Sequence, residues 1–256
     1  MAKAVVLAGG EGTRLRPLTY YFQKAMLPIG PRQRPLLEYI LQLLRLHGLQ
    51  EVVLLVGYRA EQVMNYFGGG EGLGLRIRYI LDEPQLRGTA GALLNALHKG
   101  AISERETLLV YYGDILSDID LTQLLRFHMG CGGAATLAVS RRYPLPVGVV
   151  KVRGRRVLEL REKPSLGLRV TMGILALEGR AIRLIEGRLR ERGGADIMAD
   201  LIPQLLRSGE KVSAYETEAF WYDVGSVERY ERLNSEVDFA ALEGLLMGLA
   251  DRRAGA

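Results

Sequence analysis

Residues 4–19 read Ala4-Val5-Val6-Leu7-Ala8-Gly9-Gly10-Glu11-Gly12-Thr13-Arg14-Leu15-Arg16-Pro17-Leu18-Thr19. An apolar run ends in a glycine-rich turn, and basic residues follow at once. Val5, Val6 and Leu7 read as a buried strand opening an α/β sheet. Gly9, Gly10 and Gly12 carry no Cβ, so the backbone there can turn sharply and approach a ligand closely. Its N–H groups can point at phosphate oxygens, and Arg14 adds a positive fork. No Gly-Lys-Ser/Thr follows, so this is not a Walker loop. The dinucleotide fingerprint fails too, because its third glycine, counted from Gly9, falls at Arg14.

Outward from this loop, elements alternate. Pro35 opens a helix of about four turns that ends near Gly48, with Leu37, Ile40, Leu41 and Leu44 inward and Glu38, Gln42 and Arg45 outward. Strands are expected at 52–56, 76–81 and 108–112, and helices at 60–67 and 88–99, with an exposed glycine loop at 68–74 between them. That order predicts a parallel sheet with helices on both faces. Beyond residue 130 the pattern changes. A strand at 135–140 is followed by a hairpin signal, 147–152 and 157–160 around Arg153-Gly154-Arg155, and by a strand at 169–177. Helices at 181–190 and 197–207, the second with Asp196 as N-cap, precede a strand at 211–215. Residues 226–250 read as one helix with Leu242, Leu245, Leu246 and Leu249 on one face. It is expected to pack on the chain's own core, and a role in homo-oligomer contacts stays open. No Pro-, Gly- or Ser-rich linker divides the 256 residues, so one domain is expected. Its parts are a first half (1–130), a second half (131–225) and a C-terminal helix (226–256).

The chain has 34 Lys and Arg against 29 Asp and Glu, a formal charge of +5, with no basic run interleaved with aromatics. Anionic small molecules suit this balance, and nucleic acid is not an expected partner. No run is apolar and long enough to span a membrane, and no signal-peptide pattern opens the chain. The lone Cys131 cannot form an internal disulfide, which fits a reducing, cytoplasmic setting.

Ligands of α/β sheets bind at the C-terminal ends of strands. Asp82-Glu83, Asp114 after Gly113, Glu162-Lys163-Pro164 and Asp223 in Trp221-Tyr222-Asp223-Val224-Gly225 all fall at such ends. Two isolated carboxylates, Asp114 and Asp223, suit Mg²⁺, which takes few protein ligands and keeps its waters. His47, His98 and His128 fall in helices or at helix ends and read as packing or surface residues.

Gly-Gly-x-Gly-Thr-Arg, the segment Lys24-Ala25-Met26-Leu27-Pro28, Arg87-Gly88-Thr89-Ala90-Gly91, Gly113-Asp114, Glu162-Lys163-Pro164 and the Asp223 turn occur together in this order. They span residues 4–225 and closely resemble the signature of the sugar-1-phosphate nucleotidylyltransferases. The resemblance implies a Rossmann-like, mixed and mainly parallel sheet flanked by helices. It also implies transfer of a nucleotidyl group from an NTP to a sugar 1-phosphate, with release of pyrophosphate, residues 1–130 being the nucleotide-binding half and 131–225 the sugar-binding half. Leu7, Ala8, Gly9, Gly10, Gly12, Thr13, Gly88 and Thr89 would hold the nucleotide. Arg14 and Lys24 would neutralise the triphosphate and serve catalysis. Asp114 and Asp223 would bind Mg²⁺, and Gly148, Glu162 and Lys163 the sugar and its phosphate. The sequence departs from the family pattern at Gln23 and Ala25, where Pro is usual on both sides of the lysine, and at Met172, where Asn is common. No C-terminal hexapeptide repeat is present.

The base is read from Glu83. Thymidylyl and uridylyl relatives often carry Gln near this place, and an amide both donates and accepts. A carboxylate only accepts, and guanine presents two adjacent donors, N1–H and N2–H₂. GTP is therefore the expected donor, and the resemblance implies mannose 1-phosphate, or a related manno-configured sugar phosphate, as acceptor. UTP or dTTP with glucose 1-phosphate is the alternative, and a non-catalytic nucleotide-sugar-binding regulator is the rival from another class. A Rossmann oxidoreductase is disfavoured, since Val56 leads into Gly57-Tyr58-Arg59 with no acid at that strand end.

Overall fold

The structure, a computed structural model, describes residues 2–141, 143, 147–162, 164 and 167–254. The order is β1 (Lys3–Ala8), α1 (Leu36–Leu46), β2 (Glu51–Val56), α2 (Ala60–Phe67), β3 (Arg76–Leu81), α3 (Thr89–His98), β4 (Thr107–Tyr112), β5 (Ile115–Ser117), α4 (Leu121–Cys131) and β6 (Ala135–Ser140). Then come β7 (Val149–Arg153), β8 (Arg156–Arg161), β9 (Val170–Glu178), α5 (Glu186–Arg192), α6 (Ile202–Arg207), β10 (Val212–Thr217), β11 (Trp221–Asp223), α7 (Val227–Glu236) and α8 (Phe239–Ala254).

Seven strands form one sheet in the order β10-β6-β9-β4-β1-β2-β3. All neighbours are parallel except β9, which runs antiparallel to both β4 and β6. The sheet is thus mixed and mainly parallel, and it takes strands from both halves of the sequence. The two-residue period of β1 divides its side chains between the faces. Ala4, Val6 and Ala8 join a core with α1, Ile115, Leu116 and Leu242. Val5 joins a second core with Leu93, Leu108, Ile182 and Ile197. Apolar cover on both faces is what a parallel sheet requires.

Three expected elements differ. The helix at 181–190 is a 3₁₀ stretch, Gly179–Ile185, that tightens into α5, and Gly193 in the left-handed region stops it. The helix at 197–207 opens as a π turn, Ile197–Leu201, ahead of α6, whose first turn holds Pro203 with no N–H to give back. Asp196 stands at its start, but its carboxylate does not cap it. The C-terminal helix is two helices. Val237 is extended, Ser226 Oγ accepts from Arg229 N at 3.3 Å to start α7, and Asp238 Oδ1 accepts from Ala241 N at 3.0 Å to start α8. Leu242 and Leu246 pack into the first core, as expected, and Tyr39 donates to Glu243 Oε1 at 2.9 Å. Glu38, expected on the polar stripe of α1, is buried. It accepts from Gln42 and Tyr66 and pairs with Arg34.

Candidate active site

The C-terminal ends of β1, β2, β3 and β4 open onto one cleft of about 390 Å³. Its lining includes Leu7, Ala8, Gly9, Gly10, Gly12, Thr13, Arg14, Lys24, Gly88, Thr89 and Asp114, all expected from the sequence. Gly12 sits in the left-handed region (φ 62°), which a side chain there would strain, and its carbonyl accepts from Thr19 Oγ1 at 2.9 Å. The loop is thereby pinned to the segment that carries Lys24.

Gln23, the departure noted in the sequence, does the fastening. Its buried amide donates through Nε2 to the Ala8 carbonyl at 2.6 Å and accepts through Oε1 from Ala25 N at 2.5 Å. Its own N–H donates to Gln62 Oε1 at 2.7 Å. The end of β1 and the turn bearing Lys24 are tied by a single side chain. Lys24 Nζ donates to Asp114 Oδ2.

Asp114 and Asp223 are brought together by a short antiparallel pair. Asp223 on β11 is in register with Ile115 on β5, and Val224 N donates to the Asp114 carbonyl at 2.9 Å. Burial pushes the Asp223 carboxyl up, and the Asp114 charge pushes it the same way, against the pull of Lys24, Arg229 and Arg14. Two adjacent carboxylates that repel each other make a hard-oxygen donor set, which fits a divalent cation of the Mg²⁺ class. Among the described residues no cluster of three or more His, Cys, Asp or Glu side chains is assembled, so the pair is what the protein itself offers.

Gly88 and Thr89, which begin α3, meet the segment around Asp196. A Cβ on Gly88 would lie 2.3 Å from the Ala195 carbonyl oxygen. Asp196 Oδ1 accepts from Thr89 N at 3.1 Å and from Thr89 Oγ1 at 3.2 Å. Asp196 thus caps α3, a helix 107 residues away in sequence, rather than the one it precedes.

The structure places other expected residues elsewhere. Glu83 does not line the cleft, and its carboxylate is held by Lys99 Nζ at 2.7 Å. The carboxylate that the sequence assigns to the base thus pairs with a cation just beyond the end of α3, and its neighbour Asp82 faces the cleft. Gly148 and Glu162 sit side by side at the base of the exposed β7–β8 hairpin, outside the cleft lining; a Cβ on Gly148 would be 3.1 Å from Glu162 Oε2. Lys163 lies outside the described residues. Gln23, Tyr112 and Asp196 line the cleft without having been assigned to it from the sequence, and Asp82, which also lines it, was noted there only as a strand-end acid. Asp82 and Tyr112 stand at strand ends, which was the available signal, whereas Asp196 reaches the cleft only through tertiary contact.

The nucleotidyl transferase family model matches residues 3–238. The chain belongs to that family. This family member is 33% identical over 245 residues to the UTP–glucose-1-phosphate uridylyltransferase of Synechocystis sp., covering 89% of this chain and 61% of the relative. It is 34% identical over 241 residues to the mannose-1-phosphate guanylyltransferase of Mycobacterium tuberculosis, covering 91% and 64%. It therefore spans a little over three fifths of the length of these curated relatives. HddC from Yersinia pseudotuberculosis, solved in complex with GMP-PN, superposes with a TM-score of 0.68 at 20% identity over 92% of this chain and 99% of that one, which shows the shared fold. None of the described helices of this nucleotidyl transferase family member is long and apolar enough to cross a membrane.

Proposed function

We propose that the chain transfers a nucleotidyl group from an NTP to a sugar 1-phosphate in the cytoplasm, with GTP as donor and mannose 1-phosphate as acceptor. The observation that carries this reading is the set Arg14, Lys24 and Asp114 lining a glycine-rich cleft, with Asp223 set beside Asp114 by the β5–β11 pair. The acceptor's phosphate monoester has a second pKa of about 6 and is ionised at neutral pH, so it attacks without a general base. One of its oxygens bonds to the α-phosphorus, the bond to the bridging oxygen breaks, and pyrophosphate leaves with the electron pair. The obstacle is one anion approaching another. Arg14 and Lys24 offset it from the protein side, and the loop pinned through Gly12 and Gln23 fixes where the phosphates lie. Asp114 and Asp223 would hold Mg²⁺, which supplies positive charge to the phosphates and orients them.

The relatives named mannose-1-phosphate guanylyltransferase favour GTP. The Synechocystis relative favours the second reading, UTP with glucose 1-phosphate. A matrix of NTPs against sugar 1-phosphates, scored by pyrophosphate release, tests both. Release confined to GTP with mannose 1-phosphate is expected. No release with any pair would overturn the nucleotidyl-transfer reading.

A further inference from the structure

Residues 19–23 form a strap that joins the glycine loop to Lys24. Its middle is not held by packing: Tyr20, Tyr21 and Phe22 leave 51, 71 and 43% of their surface in water. Its backbone gives little hold either. Leu18–Tyr20 is a single 3₁₀ turn, and a helical turn leaves its last carbonyls without backbone partners.

The start of α2 supplies those partners. Tyr58 Oη donates to the Thr19 carbonyl at 2.8 Å, Arg59 Nη2 to the Tyr20 carbonyl, and Gln62 Nε2 to the Tyr21 carbonyl at 2.7 Å. Gln62 Oε1 then accepts from Gln23 N at 2.7 Å. Three successive carbonyls, and the N–H of the residue before Lys24, are met by three side chains from one place. That place is itself tied to the end of β1, since Tyr58 N donates to the Gly9 carbonyl at 3.0 Å.

Arg59 stands there against its backbone preference. It sits in the left-handed region at φ 52° and ψ 36°, where a Cβ is crowded by the following carbonyl oxygen. Glycine would take this conformation freely, and would leave the Tyr20 carbonyl without its donor. The arginine side chain is aimed at that carbonyl. Its guanidinium carbon lies 5.4 Å from the centre of the Tyr58 ring, and its Nε donates to Tyr58 Oη at 3.1 Å.

None of the three side chains lines the cleft, so what they control is where the strap lies. Its two ends carry different parts of the site. Tyr58 holds Thr19, whose hydroxyl donates to the Gly12 carbonyl of the glycine loop. Arg59 and Gln62 hold the end that runs into Lys24.

We propose that Arg59 and Gln62 are positioning residues for Lys24: by fixing the backbone from Tyr20 to Gln23 they set the reach of its ammonium towards the triphosphate. The proposal rests on the nucleotidyl-transfer reading above, in which Lys24 neutralises that triphosphate. A lysine on a loose strap keeps its charge, but each nucleotide that binds must then order the strap, and affinity falls. With the strap clamped from α2, that ordering is complete when the chain folds.

The test is a double-mutant cycle, read by calorimetric titration of the full chain with GTP and, separately, with UTP at fixed Mg²⁺. Arg59→Gly keeps the backbone conformation and removes the donor to Tyr20. Gln62→Leu removes the bonds to Tyr21 and Gln23. Each is expected to weaken the tighter-bound nucleotide about five- to tenfold. Combined with Lys24→Met, each should cost less than about twofold further, because the side chain being positioned is gone. The two variants break different bonds to the same strap, so if one fails to fold the other decides. Wild-type affinity in a variant that circular dichroism shows to be folded would overturn the proposal. So would an equal loss with and without Lys24, which would mean that Arg59 acts by its own charge or that the strap acts through the glycine loop. A wild type that binds neither nucleotide would bring down the nucleotidyl-transfer reading as well, whereas binding without coupling to Lys24 brings down the proposal alone.

Discussion

Lys24 Nζ donates to Asp114 Oδ2, and that contact puts a protein cation where the carboxylate pair would otherwise face a divalent metal unopposed. Asp223, on the neighbouring strand, feels Asp114 as a repelling charge and Lys24 as an attracting one. In the nucleotide-free protein the ammonium therefore occupies one of the two carboxylates proposed to hold the metal. A triphosphate that draws Lys24 to its own oxygens would free Asp114 at the moment metal is needed.

Lys24→Met separates these roles. It is expected to weaken NTP binding and to lower turnover about a hundredfold or more. In the absence of nucleotide it should do the opposite for metal. An ion pair with partly exposed partners is worth up to about 1 kcal/mol, so Mn²⁺ followed by electron paramagnetic resonance should bind about five times more tightly to the variant. Unchanged or weaker Mn²⁺ binding to the nucleotide-free variant would show that Lys24 does not compete for Asp114.

Asp114→Asn and Asp223→Asn should each cut turnover about a hundredfold or more while leaving the circular dichroism spectrum unchanged. They share one short strand pair and one charge balance, so the double variant should lose far less than the product of the two single losses. Multiplicative losses would mean that the two carboxylates act on different groups.

The fold was legible where apolar spacing is strict. The helix 60–67 and the strands 76–81 and 135–140 lie at the expected residues, because alternation or a helical stripe runs cleanly between glycine or charged boundaries. The C-terminal helix was not read as two, since only Asp238 as a cap marks the break at Val237. In the site, glycines and strand-end acids were legible because their chemistry is local. Whether Asp82 or Glu83 faces the cleft was not. Strand alternation stops at Leu81, and one residue of register decides which acid meets Lys99 and which lies over Gly9. Asp196 was beyond reach for a different reason: the helix it caps begins 107 residues earlier.

Gln23→Ala would remove the amide that joins β1 to the Lys24 turn. The Ala8 carbonyl and the Ala25 N–H would each lose their partner in a buried place, at a cost of about 1–3 kcal/mol apiece less whatever water recovers. Urea unfolding should show a stability loss in that range, and KM for NTP should rise because Lys24 is no longer held in register with the glycine loop. A stability loss with an unchanged KM would confine Gln23 to the fold.

Asp82 should also leave a mark on stability in the nucleotide-free protein. Desolvation against the cleft wall pushes its carboxyl above the usual value of 3.8, and no protein donor pulls it back. Below 3.8 the acid is neutral in both folded and unfolded chains and contributes nothing. As pH rises through the raised folded value, the folded chain comes to hold a charge that the unfolded chain holds more easily, so stability is lost. Asp82→Asn should therefore stabilise the free protein at pH 7 and do so progressively less as pH falls towards 4. The gain should stay below about 1 kcal/mol, because solvent still reaches the side chain. Urea unfolding of the wild type and the variant at the two pH values measures it. A variant less stable than the wild type at pH 7 would mean that the protein itself satisfies this carboxylate.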